Sequence, residues 1–401
     1  MPCSSASKNE HHTTPTRRET SLHWQAWALS GGAAVSVGFA RFGYALILPA
    51  MKTDLNLSYA QAGGLNTANA LGYLTGALLT IFLVQYTGNK RLFSTGLWIT
   101  LLALLGTGLT RDLHLLALLR FLAGLGAAGT FIAGGVLSGT LGTRAIVVFF
   151  SGSGLGMLAT GALLPWLFEL QGAKAWPWAW QGCALVCAPL ALSALWALRT
   201  LSDPTPSGLG NQWPSRACWP EFTAYFMFGL GYIAYITFMV AWVQSSALEG
   251  LSHAAVTSVM WSLLGMATLL GPWLWKPVFN GRADGIPMAA SMSVLAVGAA
   301  LPLVWPTLAG IWCSAFLVGS SVFMVPSAAT GFVKTNLPAP QWGTGLAIAT
   351  SLFAIGQTIG PVTSGWLSDQ TSSLNTGLWC SVVVLIAGAL LAWTQSPLQR
   401  P

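Results

Sequence analysis

The sequence predicts an all-α polytopic membrane protein, with twelve transmembrane helices arranged as two six-helix bundles. Three observations point there. Hydrophobic residues make up 54% of the 401 and charged residues only 7%, with a mean hydropathy of +0.64, too few charges to cover a soluble surface of this size. The apolar segments run to about 20–27 residues, which suits helices of 1.5 Å rise rather than the ten-residue alternating strands of a barrel. The second half of the chain also repeats features of the first.

The elements follow in order. Residues 1–23 carry Lys8, Glu10, Arg17, Arg18, Glu19 and three histidines. They are too polar for a signal peptide and read as a disordered cytoplasmic N-terminal tail. His11 and His12 have no further ligand nearby, so a solvated tail is expected there rather than a metal site, and no metal is expected anywhere. Spans are placed at 24–50, 59–84, 92–110, 113–139, 145–169 and 176–198, then at 221–246, 254–279, 286–304, 307–333, 341–367 and 374–394. These make an N-terminal bundle, 24–199, and a C-terminal bundle, 221–394. Between them RTLSDPTPSGLGNQWPSRACWP reads as a cytoplasmic linker, 200–220, and residues 395–401 form a short cytoplasmic tail. The six cysteines are scattered, and Cys183 and Cys187 on one helix read as small packing residues.

Charge sets the orientation. With the N-terminus inside, twelve basic residues face the cytoplasm (Lys8, Arg17, Arg18, Lys90, Arg91, Arg144, Arg199, Arg216, Lys276, Arg282, Lys334, Arg400) and three face out (Lys52, Arg111, Lys174). That asymmetry obeys the positive-inside rule and implies an inner or plasma membrane with both termini cytoplasmic. The net charge of +7 is therefore topological, and nucleic acid is not expected as a partner.

Three stretches repeat in the same order. GFARFGYALILPAM (Gly38 to Met51) aligns with GLGYIAYITFMVAW (Gly229 to Trp242), setting Arg41 against Tyr232 and Tyr44 against Tyr235. RFLAGLG in span 4 matches AFLVGSS in span 10, and GMLATGALLPWL in span 5 matches GQTIGPVTSGWL in span 11. Parallel six-helix repeats of this kind are an architecture in which two bundles rock about a midplane site.

LLALLRFLAGLGAAG (Leu115 to Gly129) resembles the Arg-x-x-x-Gly-x-Gly signature of the major facilitator superfamily through Arg120, Gly124 and Gly126. GFARFGYALILPAM and FGLGYIAYITF resemble its YbfB/YjiJ-type members, and the likeness spans residues 24–394. It implies the major facilitator fold, transport by alternating access and a plasma-membrane location. One departure stands out. The superfamily's Gly-x-x-x-Asp-Arg-x-Gly-Arg-Arg loop after span 2 is here IFLVQYTGNKR: Gly88, Lys90 and Arg91 match, but Gln85 replaces the Asp and Asn89 an Arg. A charge-based gate is in doubt on that ground.

Within the spans lie two arginines, Arg41 and Arg120. A charge at that depth costs about 2.5–3.5 kcal/mol, so it needs protein or water and a partner. Each sits roughly 10–12 Å below the outer surface, at 1.5 Å per residue. Since the resemblance implies that spans 1, 4, 7 and 10 line the cavity, their guanidinium groups are expected to converge. No acid lies at mid-membrane; Glu169, Glu221 and Asp369 at span ends are the nearest. A substrate carboxylate held bidentately would supply the missing charge. The alternatives are that Arg41 snorkels or pairs with backbone carbonyls and Glu169, and that Arg120 serves coupling while Gly124 and Gly126 serve packing.

Asn66, Asn69 and Tyr73 share one face of span 2, and Tyr225, Tyr232 and Tyr235 nearly share one of span 7. Substrate contact or inter-helix bonding fits either set. Gln357, Pro361 and Ser364 share a face of span 11 and read as a Pro-linked hinge. There is no GxxxxGK[ST] motif and no catalytic acid/His spacing, so neither an ATP-driven pump nor an enzyme is expected, and no cofactor. The expected function is secondary transport of a small organic solute, an organic anion first, coupled to protons, by a monomer in the lipid bilayer. An exporter of amphipathic drugs or metabolites is the alternative within transport, and a membrane sensor or membrane-embedded enzyme the alternative outside it.

Overall fold

The computed structural model describes residues 17–204, 216–246, 250–338 and 341–398. Among them the only regular secondary structure is helical. Eleven stretches are long and apolar enough to cross a membrane. The first joins α1 (Arg17–Ala33), a π-helical segment (Ala34–Phe42) and α2 (Gly43–Leu55). Helix begins at Arg17, within the tail of residues 1–23. RRETSLH contains ordinary helix formers, and the apolar rod that follows nucleates them. The rest of that tail, with His11 and His12, lies outside the described residues, as do 205–215 of the linker and 399–401.

The second stretch, α3 (Tyr59–Thr107), is 49 residues long. A straight helix of that length would measure about 74 Å against a hydrocarbon core of about 30 Å. It is broken at Gly88, whose φ of 76° and ψ of 166° are not helical. The expected spans 2 and 3 are its two limbs, and the count of twelve crossings rests on dividing it there. After it come α4 (Leu113–Gly139), α5 (Thr143–Gln171), α6 (Trp176–Ala197), α7 (Trp219–Ser245), α8 (His253–Leu274), the short α9 (Lys276–Phe279) and α10 (Ile286–Val304). Span 10 is divided into α11 (Leu308–Val322) and α12 (Met324–Asn336), because Pro326 in the first turn of α12 has no N–H to continue the ladder. α13 (Trp342–Thr371) and α14 (Leu374–Trp393) complete the chain.

We call the side holding Gln25, the Gly88 bend and Gln395 the near face, and the other the far face. Far-face starts are capped by side chains: Ser58 with Gln61 on α3, Asp112 on α4, Ser252 on α8 and Thr307 on α11. Helices of each half pack mainly among themselves, α3 against α4 and α14 against α7 and α10. The halves meet through α3 and α13, α5 and α8, and α2 and α7. Backbones touch where glycines allow it: Gly63 lies on the Pro361 carbonyl, and Gly154 faces Gly265. The Asp369 carboxylate of α13 accepts from the Tyr59 and Ala60 amides at 2.9 and 2.8 Å, capping α3 across the divide. The halves are thus tied at the far face where α3 meets α13.

Candidate functional site

Arg41 sits in the last turn of the π-helical segment. There Gly43 N–H bonds the Gly38 carbonyl, five residues back, and Gly38 itself lies against the Gly156 backbone of α5. A π-helical stretch changes which way following side chains point, and such stretches gather at functional sites. Arg41 points across the divide. Its Nη2 donates to the Tyr232 hydroxyl of α7 at 3.0 Å, and that hydroxyl donates to Gln357 Oε1 of α13 at 2.7 Å. The Tyr73 ring of α3 lies beneath the guanidinium, 5.1 Å from Cζ to centroid. Arg41 keeps 7% exposure, and Gln357 is fully buried with Nε2 unpartnered. Four spans therefore meet in one polar relay, which continues into a stack of Tyr232, Phe228 and Tyr225 against Phe353.

Arg120 points elsewhere. Its Nη1 donates to the Ala40 carbonyl at 2.6 Å, and Cζ stands 4.5 Å from the Tyr44 ring centroid and 5.4 Å from that of Trp180. It is 1% exposed, and Nε and Nη2 have no partner. Arg41 reaches between the halves, while Arg120 stays inside the first half, in an aromatic box. They remain within electrostatic reach. Neither has an acid. The ion pairs among the described residues are Arg111 with Asp54 and Arg282 with Asp284, at 3.2 and 3.3 Å. Glu169, the suggested partner for Arg41, instead accepts from Ser252 Oγ at 3.1 Å on the far face.

The other candidates separate. Tyr44 donates to the Ala62 carbonyl at 2.6 Å, and Asn69 to the Arg120 carbonyl at 3.0 Å; both tie helices within the first half. Tyr235 bonds Ser314 Oγ at 2.7 Å, inside the second half and away from Arg41. Asn66 crosses the divide, donating to Thr237 Oγ1 at 2.6 Å. Asn66, Asn69 and Tyr73 therefore serve three different neighbours, because a face of helix as crowded as this one meets more than one partner. Gly124 lies on the Asn69 carbonyl and Gly126 on that of Gly96, so both permit close packing of α4 against α3. Pro361 marks the crossing with Gly63.

Sequence reasoning missed two residues. Gln357 was assigned to a hinge face, although an amide at the level of Tyr232 suits a relay. Asp203, beyond α6, restores the acid absent from the loop after span 2. Its Oδ1 accepts from the Asn89 amide at 3.0 Å and its Oδ2 from that of Lys90 at 3.2 Å, capping the limb that starts after Gly88. Lys90 contributes its backbone, and Arg91 is exposed.

A cleft of 370 Å³ lies apart from this site, on the far face, lined by Thr53, Glu169, Gln244, His253 and Thr257. The relay at Arg41 is by contrast buried, with Tyr232 at 4% and Gln357 at 0% exposure. No three His, Cys, Asp or Glu side chains gather as metal ligands among the described residues.

The family model described as "Uncharacterised MFS-type transporter YbfB" matches residues 33–393. No curated protein sequence matches the chain. Among solved structures, the chain is similar to a bacterial homolog of the human lysosomal transporter Spinster, in an inward-facing and occupied conformation: TM-score 0.68, 16% identity, 95% of this chain and 97% of that one. It is also similar to a mutant of the nucleoside transporter NupG: TM-score 0.69, 14% identity, 92% of this chain and 98% of that one. At such identities the likeness concerns the fold.

Proposed function

Because this chain belongs to the YbfB-type family of MFS transporters, a membrane transporter and not an enzyme, we propose that its cargo is a small organic anion, bound by Arg41 and moved by alternating access. One observation carries the reading. Two arginines lie buried, neither in an ion pair among the described residues, and Arg120 keeps two donor nitrogens, Nε and Nη2, without an acceptor. Buried donors and buried charge call for a counter-charge, and a carboxylate matches the guanidinium fork.

Arg41 is the group placed to meet cargo, since its relay to Tyr232 and Gln357 joins the two halves. A carboxylate taking Nη2 from the Tyr232 hydroxyl would release one half from the other, tying occupancy to movement. The stack from Tyr225 to Tyr232 offers apolar surface to the body of an amphipathic acid. Arg120 holds the Ala40 carbonyl, one residue before Arg41, and so fixes where Arg41 stands. A proton gradient across an inner or plasma membrane is the energy source in this reading, with the basic near face cytoplasmic. One chain supplies every residue of the site. An exporter of lipophilic cations is disfavoured by the same two arginines.

The test is counterflow in liposomes over a panel of organic acids, sugars and amines. Arg41→Gln should lower transport of the preferred acid about ten- to hundredfold, the worth of a charge-assisted hydrogen bond, with insertion intact. Transport of every substrate surviving that change would end the anion reading.

A further inference from the structure

Among the described residues, the second half holds one acid away from water. Glu221, in the first turn of α7, is 1% exposed, and its Oε2 has no hydrogen-bond partner. It takes no part in the ion pairs found among the described residues. Its amide donates to Gln395 Oε1 at 3.3 Å, and the Gln395 carbonyl accepts from Gly285 N at 3.0 Å. The start of α7, the end of α14 and the start of α10 are thus knotted at the near face around a carboxyl whose Oε2 has no partner. The titratable groups that act on it are Cys218, buried one turn before it, and Asp284, which Arg282 holds at 3.3 Å. None offers a positive charge of its own to Glu221.

Position along α7 links this carboxyl to the site. Glu221, Tyr225, Phe228 and Tyr232 fall at i, i+4, i+7 and i+11, one face of the helix, about 16 Å from first to last. Tyr225, Phe228 and Tyr232 stack on Phe353 of α13, and Tyr232 ends at Arg41. A shift of α7 against α13 moves both ends of that face.

We propose that Glu221 is the exchangeable proton site of the transport cycle, loaded from water on one side of the membrane and unloaded to water on the other as the halves alternate. This rests on the proton-coupled reading above. Oε2 takes a proton from water on one side to give the neutral acid, the stable form of a buried carboxyl without a cation, and gives it up to water on the opposite side as α7 moves. No other bond forms or breaks.

Infrared difference spectroscopy across a pH step needs no substrate. Wild-type protein in lipid should show a protonated-carboxyl band that titrates, shifts on ¹³C-glutamate labelling and is absent from Glu221→Gln. In liposomes with phthalate as probe, Glu221→Gln should keep counterflow and lose accumulation driven by a pH gradient. A band that is missing in labelled wild type, or gradient-driven accumulation that persists in the variant, overturns the proposal. Wild-type accumulation indifferent to the gradient overturns it together with proton coupling, while the anion reading still stands or falls on Arg41→Gln.

Discussion

Arg41 and Arg120 look alike in the sequence, as two cations at one depth, and their surroundings set them apart. Arg41 spends its Nη2 on a hydroxyl from the opposite half; Arg120 spends its Nη1 on a carbonyl of the neighbouring helix and leaves two N–H groups unmet. Tyr232→Phe should therefore destabilise the resting state by about 1–3 kcal/mol, since it strands Gln357 Oε1 in the interior. Thermal melting in detergent checks this, and an unchanged melting point would remove the relay from the account. Arg120→Met should leave melting unchanged or raise it, because it deletes an uncompensated buried charge, while transport falls through the loss of the Ala40 anchor. The absence of mid-membrane acids to pair with these arginines was legible in the sequence. Their different directions were not, because a π-helical segment changes the facing of Arg41 in a way no 3.6-residue count includes.

At the scale of elements, glycines decide where helices may touch. Gly63 rests on the Pro361 carbonyl, whereas a Cβ on neighbouring Gly64 would meet nothing within 4 Å. Gly63→Ala should force α3 from α13 and open the far face, and Gly64→Ala should be silent, within about 0.5 kcal/mol. Alkylation of Thr67→Cys in a cysteine-free background reads the difference: faster labelling in the first variant, none in the second. The Gly88 bend is another such point. Its backbone conformation is almost confined to glycine, and Asp203 caps the limb beyond it. Asp203→Ala should cost about 0.5–2 kcal/mol, the usual worth of an N-cap, measured by melting. The spans from α4 onward lie near their expected places because apolar length alone marks them. Spans 2 and 3 are the two limbs on either side of Gly88; what was hidden is the cap of the second limb, since the carboxylate that orders it comes from Asp203, far along the chain.

For the whole molecule, the fold followed from composition, span length and the repeat, and the family match over residues 33–393 agrees with it. The repeat also explains a false lead. Tyr44 and Tyr235 are aligned partners, yet each hydroxyl closes a bond inside its own half, to Ala62 and to Ser314. Symmetry in the sequence recorded equivalent packing there, whereas Tyr232, aligned with Arg41, bonds across to it between the halves. The account's central claim is that this crossing point binds an anion. Its most direct test compares binding of benzoate with that of benzamide, its uncharged analogue of like shape, to purified wild type and to Arg41→Gln. Wild type should prefer benzoate by about tenfold or more, and Arg41→Gln should bind the two alike. Equal binding of both by wild type, or an unchanged preference in Arg41→Gln, would contradict it.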